Sequence, residues 1–121
     1  MKNLKIAVIG SRKCKGFNID IIMRYLPKEC TCIISGGARG VDSFAMKAAE
    51  KLEISFLCIK PDYEKHGKAA PLIRNEEIIS KADHVIAFWD FKSRGTAHTI
   101  ALCIAKGVPV RVIGLDEHSD V

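Results

Sequence analysis

The chain has 121 residues, 48% hydrophobic and 27% charged, with 19 basic against 14 acidic side chains and a formal net charge of +5. That is one domain's length, enough to bury ~65–70% of the unfolded surface, and the composition excludes a disordered or collagenous chain. No apolar run is long enough for a bilayer, and Met1-Lys2-Asn3-Leu4-Lys5 leads straight into a strand, so neither an anchor nor a secretion signal is expected and the location is read as cytoplasmic.

The elements follow in chain order. Leu4 to Ile9 reads as a first strand, left through Gly10-Ser11-Arg12-Lys13. Asn18 is placed to cap a helix with Ile19, Ile22, Met23 and Leu26 on its buried face, ended by Pro27. Cys30 to Ile34 is a second apolar strand, and Ser35-Gly36-Gly37-Ala38-Arg39-Gly40-Val41-Asp42 turns it into a helix whose apolar face is Val41, Phe44, Ala45, Ala48, Ala49 and Leu52. Ile54 to Ile59 is the third strand, followed by a charged loop and a helix with Pro71 in its first turn and Ala69, Leu72, Ile73 and Ile79 apolar. Asp83 to Trp89 is the fourth strand, with the exit loop Asp90-Phe91-Lys92-Ser93-Arg94-Gly95-Thr96. The last helix stops at Gly107, and Val110 to Ile113 closes the pattern; the tail from Leu115 to Val121 is polar and expected to be only partly ordered.

Four β-α units and a closing strand, with strands that are continuous apolar runs, predict an α/β fold: a parallel sheet covered on both faces. Right-handed crossovers then put every strand-to-helix loop on one edge, where ligands of such sheets bind near the switch in strand order. The charge agrees. The four loops hold Arg12, Lys13, Lys15, Arg39, Lys60, Lys65, Lys68, Lys92 and Arg94 against Asp42, Asp62, Glu64 and Asp90, a basic rim suited to phosphate.

Three glycines in one strand-to-helix turn exceed what a turn alone requires, and a helix amino terminus favours an anion, so this turn is read as a phosphate-type site. Arg12 can pair bidentately with phosphate, and Arg39 stands between glycines. Ser93 and Thr96 offer hydroxyls, Thr96 doubling as a helix cap. Asp42 suits a ribose hydroxyl better than a phosphate. Tyr63 and Trp89 are weighed as base-stacking residues, Trp89 more as core. Of the five cysteines, Cys14, Cys30, Cys32, Cys58 and Cys103, four lie in segments read as core, all are expected reduced, and neither they nor His66 and His98 have metal spacing.

Gly10-Ser11-Arg12, Ser35 to Asp42, Pro61…Tyr63…Gly67-Lys68-Ala69…Arg74-Asn75 and Trp89-Asp90…Ser93-Arg94-Gly95-Thr96 together resemble the SLOG superfamily, which groups DprA-like and LOG-like Rossmannoid proteins. Within it the chain is similar to the small YspA-like, YpsA-related branch, with Tyr63 where an indole is common. The resemblance covers nearly the whole chain and implies one Rossmann-like, three-layer domain over residues 1–121, with a five-stranded parallel sheet. It implies a ligand site drawn from Gly10, Ser11, Arg12, Ser35, Gly36, Gly37, Arg39, Gly40, Asp42, Arg74, Asn75, Ser93, Arg94, Gly95 and Thr96. The first expectation is binding or sensing of a nucleotide-derived, phosphate-bearing small molecule, with no further cofactor; relatives often self-associate, so a homo-oligomer is expected too.

A second reading is a phosphoribohydrolase-like N-glycosidase. The hydrolase branch carries acids just past its Gly-Thr, whereas this chain has Ala97-His98-Thr99, which leaves Asp42, Glu76, Asp90 or His98 as candidates for the catalytic charge or base. A third reading, from the sequence pI of 9.0, is a binder of single-stranded nucleic acid.

Overall fold

The computed structural model describes residues 3–37 and 40–115. Five parallel strands form one sheet in the order β3-β2-β1-β4-β5: β1 Leu4–Gly10, β2 Cys30–Ser35, β3 Ser55–Cys58, β4 His84–Trp89 and β5 Val110–Gly114. The helices are α1 Ile19–Tyr25, α2 Val41–Leu52, α3 Tyr63–His66, α4 Ala70–Lys81 and α5 Arg94–Lys106, with a single 3-10 turn at Gly67–Ala69. The fold is therefore the Rossmann-like α/β arrangement its apolar strand runs predict. Among the described residues, no helix is long and apolar enough to cross a membrane.

β1 and β4 are central and buried on both faces. Ile6, Val8, Ile33, Ile86 and Phe88 point to one layer with residues of α1 and α2. Ala7, Ile9, Ile34, Val85 and Ala87 point to the other, with Ile78 and Ile79 of α4 and Cys103 of α5. Phe88 anchors the first core. Phe17 meets it edge-on with centroids 5.0 Å apart, and Phe17 meets Phe44 at 5.5 Å. Such pairs add about 0.5–1.5 kcal/mol each beyond area burial.

The helix ends follow local chemistry. Asn18 Oδ1 accepts from the Ile21 N–H at 3.2 Å, capping α1, and Gly107 takes a left-handed φ of 72° to stop α5. Four expectations are corrected. Ser93, not Thr96, occupies the cap position of α5, and Thr96 is buried inside its first turn. Leu52 faces solvent, because α2 ends there as the chain turns away at Glu53. Leu72 and Ile73 are exposed, and α4 buries Ala70 and Ile78 beside the expected Ile79, because the helix face that meets the sheet runs through Ala70, Arg74 and Ile78 at four-residue spacing. Cys58 is exposed at the end of β3, an edge strand, rather than in the core.

β1 pairs with β2 on one side and β4 on the other, with Ile9 opposite Ala87 and Gly10 opposite Phe88. The chain leaves β1 toward β2 and leaves β4 toward β5. The switch in strand order thus falls between β1 and β4, and their two exit loops lie side by side.

Candidate functional site

A cleft of about 450 Å³ opens at that point, over the carboxyl ends of the strands. Gly10 and Arg12 enter it from β1, Gly36 and Asp42 from the glycine turn, Arg74 and Asn75 from α4, and Asp90, Ser93, Gly95 and Thr96 from the exit of β4. Four separate loop motifs thus meet in one cavity. A second cavity of about 440 Å³ lies at the opposite edge, where α1 stops short of β5. Its lining is mostly apolar, and its Arg111 already sits 4.9 Å over the Tyr25 ring, so it offers no converging phosphate donors.

Ser11 knits the loops together. It is buried; its N–H donates to Phe88 O at 3.1 Å, its carbonyl accepts from Val41 N at 3.4 Å, and its hydroxyl accepts from Asp90 N at 3.2 Å. Gly40 makes this possible. Its φ is 76°, and a Cβ there would stand 2.6 Å from Ser11 O, so the β1 exit passes where a side chain would be. Gly36 serves Arg74. The Arg74 guanidinium lies where a Gly36 Cβ would point, and its Nη1 donates to Gly36 O at 2.8 Å and to Ile59 O at 3.4 Å. Arg74 Nε donates to Asn75 Oδ1 at 2.8 Å. Arg74 therefore braces β2 and β3 from within the cleft wall.

Asp90 organises the other wall. One carboxylate oxygen accepts from Lys92 N at 2.9 Å and Ser93 N at 2.7 Å. Burial alone would raise its pKa, but the Ser93 and Lys92 amides and the Ser11 hydroxyl more than offset this and hold it below the ordinary carboxylate value. Thr96 Oγ1 donates to Ser93 Oγ at 3.3 Å and Thr99 Oγ1 to Gly95 O at 3.0 Å. The first α5 amide bonded back is Ala97 N, to Ser93 O, so the amides of Arg94, Gly95 and Thr96 precede the helical ladder. Among the described residues, a Cβ at Gly95 would meet nothing within 4 Å.

The expected residues separate by position. Ser35 is fully buried, and its Oγ has no hydrogen-bond partner among the described residues. Gly37, with a φ of 71°, and Arg94 are exposed and lie outside the cleft lining, as do Glu76, His98 and Tyr63. Arg39 and the tail beyond Leu115 lie outside the described residues. Lys13, expected only as part of the basic rim, lines the cleft, and so does Thr99, which was not expected; Thr99 is signalled by its three-residue spacing from Thr96, which shares its helix face. Arg12 and Lys13 are exposed, and neither makes a hydrogen bond or ion pair among the described residues.

Residues 1–62, from β1 through the glycine turn to the exit of β3, match the family model of DNA recombination-mediator protein A. The chain belongs to the DNA recombination-mediator protein A family. It falls accordingly within the SLOG superfamily. The Gene 61 protein of Mycobacterium phage D29 is 34% identical over 84 residues, 64% of this chain and 67% of that protein. Among solved structures, the DNA processing protein A of Helicobacter pylori, studied for its single-stranded DNA binding mode, superposes with a TM-score of 0.72 at 25% identity over 92% of this chain. That of Streptococcus pneumoniae superposes with a TM-score of 0.74 at 20% identity over 90% of this chain, a likeness of fold. The chain spans 65% of the former and 50% of the latter.

Proposed function

We propose that the carboxyl edge of this family member binds the phosphate backbone of single-stranded DNA. The observation that carries the reading is that Arg12 and Lys13, uncommitted among the described residues, line one open cleft together with Gly95 in the first turn of α5, where a Cβ would meet nothing within 4 Å. Exposed cations and helix-end amides recognise phosphate irrespective of base sequence. The likeness to the Helicobacter DNA processing protein A supports DNA as the source of those phosphates.

A nucleotide-derived small molecule is the second reading, favoured by a cleft volume within the range of small-ligand pockets. N-glycosidase chemistry draws less support. Asp90 already accepts two backbone amides, and Glu76 and His98 are exposed outside the cleft lining.

Fluorescence anisotropy with a labelled oligo-dT across a salt series tests the proposal. Log affinity is expected to fall linearly with log salt, by a slope of about −0.7 for each phosphate neutralised on a single strand. Arg12→Ala and Lys13→Ala should each flatten the slope by about that amount. Gly95→Ala should weaken binding while leaving the fold at least as stable, because alanine lowers the freedom of the unfolded chain. Salt-insensitive binding, or indifference to all three substitutions, overturns the assignment. A mononucleotide that binds as tightly as the oligomer moves it to the small-ligand reading.

A further inference from the structure

Phe91 breaks two rules at once. It is a large apolar side chain left 61% exposed, and its φ of 64° lies in the left-handed region that bulky residues avoid. The other positive-φ residue that is not glycine among those described, Glu53, is a helix C-cap, where that conformation is ordinary. Phe91 has no helix to end.

Its conformation is imposed by its neighbours. The Asp90 carboxylate holds the two amides after Phe91, at Lys92 and Ser93, and this turn throws the ring out over the sheet edge. There the ring rests against Trp89, with centroids 4.9 Å apart and planes at 46°. The Trp89 indole is itself fixed by donating to Ser93 O at 3.0 Å. Gly114 at the end of β5 leaves room: a Cβ there would stand 2.8 Å from Phe91 Cε2. An aromatic-backed, exposed ring therefore stands beside the cleft wall formed by Asp90 and Ser93.

We propose that Phe91 is a stacking platform for a nucleobase of the strand whose phosphates occupy the cleft. The inference rests on the nucleic-acid reading of that cleft and deepens it. The cleft opens over β1 and β4 and the ring over β4 and β5, about one strand spacing (~4.8 Å) along the same edge. A ligand touching both extends along the edge, which favours an oligonucleotide over a mononucleotide. Every base has a π-face, so the platform adds affinity without demanding a sequence.

The test compares oligo-dT with an abasic oligonucleotide of equal length, on wild type, Phe91→Asn and Phe91→Trp. Asparagine tolerates the left-handed backbone, so the loop keeps its shape. Wild type is expected to bind oligo-dT about tenfold more tightly than the abasic strand. Phe91→Asn should bring oligo-dT down to the abasic affinity and leave the abasic affinity and the salt slope unchanged, and Phe91→Trp should restore the difference. Equal loss on both strands, or none, overturns the proposal. Wild type that binds neither strand overturns the cleft reading and this one with it. Intrinsic fluorescence is a check that needs no variant: Trp89 is the single tryptophan and lies beside Phe91. Its emission should be quenched by oligo-dT and not by the abasic strand; the absence of that contrast counts against stacking.

Discussion

Asp90, a candidate for catalytic charge, acts as a clamp on the loop leaving β4, through its hydrogen bonds from the Lys92 and Ser93 amides. The two amides and the Ser11 hydroxyl favour the ionised form over the opposition of burial, so its pKa is lower folded than unfolded. A lowered carboxylate pKa stabilises the fold above the unfolded value, about 3.9, and that contribution disappears as pH falls through the folded value. Asp90→Asn should accordingly melt below wild type at neutral pH, and the gap in Tm should close under acid conditions. Thermal denaturation at neutral and acid pH checks this; a gap that is constant with pH would assign Asp90 no ionic role. Among the glycines the same residue-level question has different answers. Gly36 and Gly40 are explained by protein atoms that crowd them, whereas among the described residues a Cβ at Gly95 would meet nothing within 4 Å.

At the scale of elements, α4 does more than cover the sheet. Its face carries Arg74 inward to the carbonyls of Gly36 and Ile59, which joins the exits of β2 and β3 to the cleft wall. Arg74→Met keeps the stem and removes the donors, and should cost about 1.5–3 kcal/mol, the usual worth of hydrogen bonds to a charged group. Gly36→Ala should also destabilise, because its Cβ meets the guanidinium. Together the two should cost less than their sum, since the methionine leaves the glycine site uncrowded. Urea denaturation of the four proteins completes the cycle, and simple additivity would refute the brace.

For the whole molecule, the sheet order places β1 and β4 inside two cores while β3 and β5 stand at the edges. Hydrogen exchange should therefore be slowest at Ile6 to Ile9 and Val85 to Phe88 and fastest along β3, whose residues are mostly accessible; equal protection across the sheet would contradict that hierarchy. Much of this was legible beforehand. Continuous apolar runs alternating with 3.6-period faces determine a parallel α/β sheet, because strands buried on both sides leave no polar face, and the loops then share one edge. Asn18 and Gly107 mark helix ends by chemistry within one turn of the chain. What only the tertiary structure decided lies between residues far apart in sequence: Ser11 with Asp90, separated by 79 positions, and Gly36 with Arg74, separated by 38. Local periodicity assigned Leu72 and Ile73 to the core, while the resemblance placed Arg74 at the ligand site; packing turns the face of Ala70, Arg74 and Ile78 inward and leaves Leu72 and Ile73 exposed. The strain at Phe91 exists only because Asp90 finds its amides and Gly114 leaves a space. Periodicity reports which face is apolar; which side chain crosses a cleft is decided by what waits on the other side.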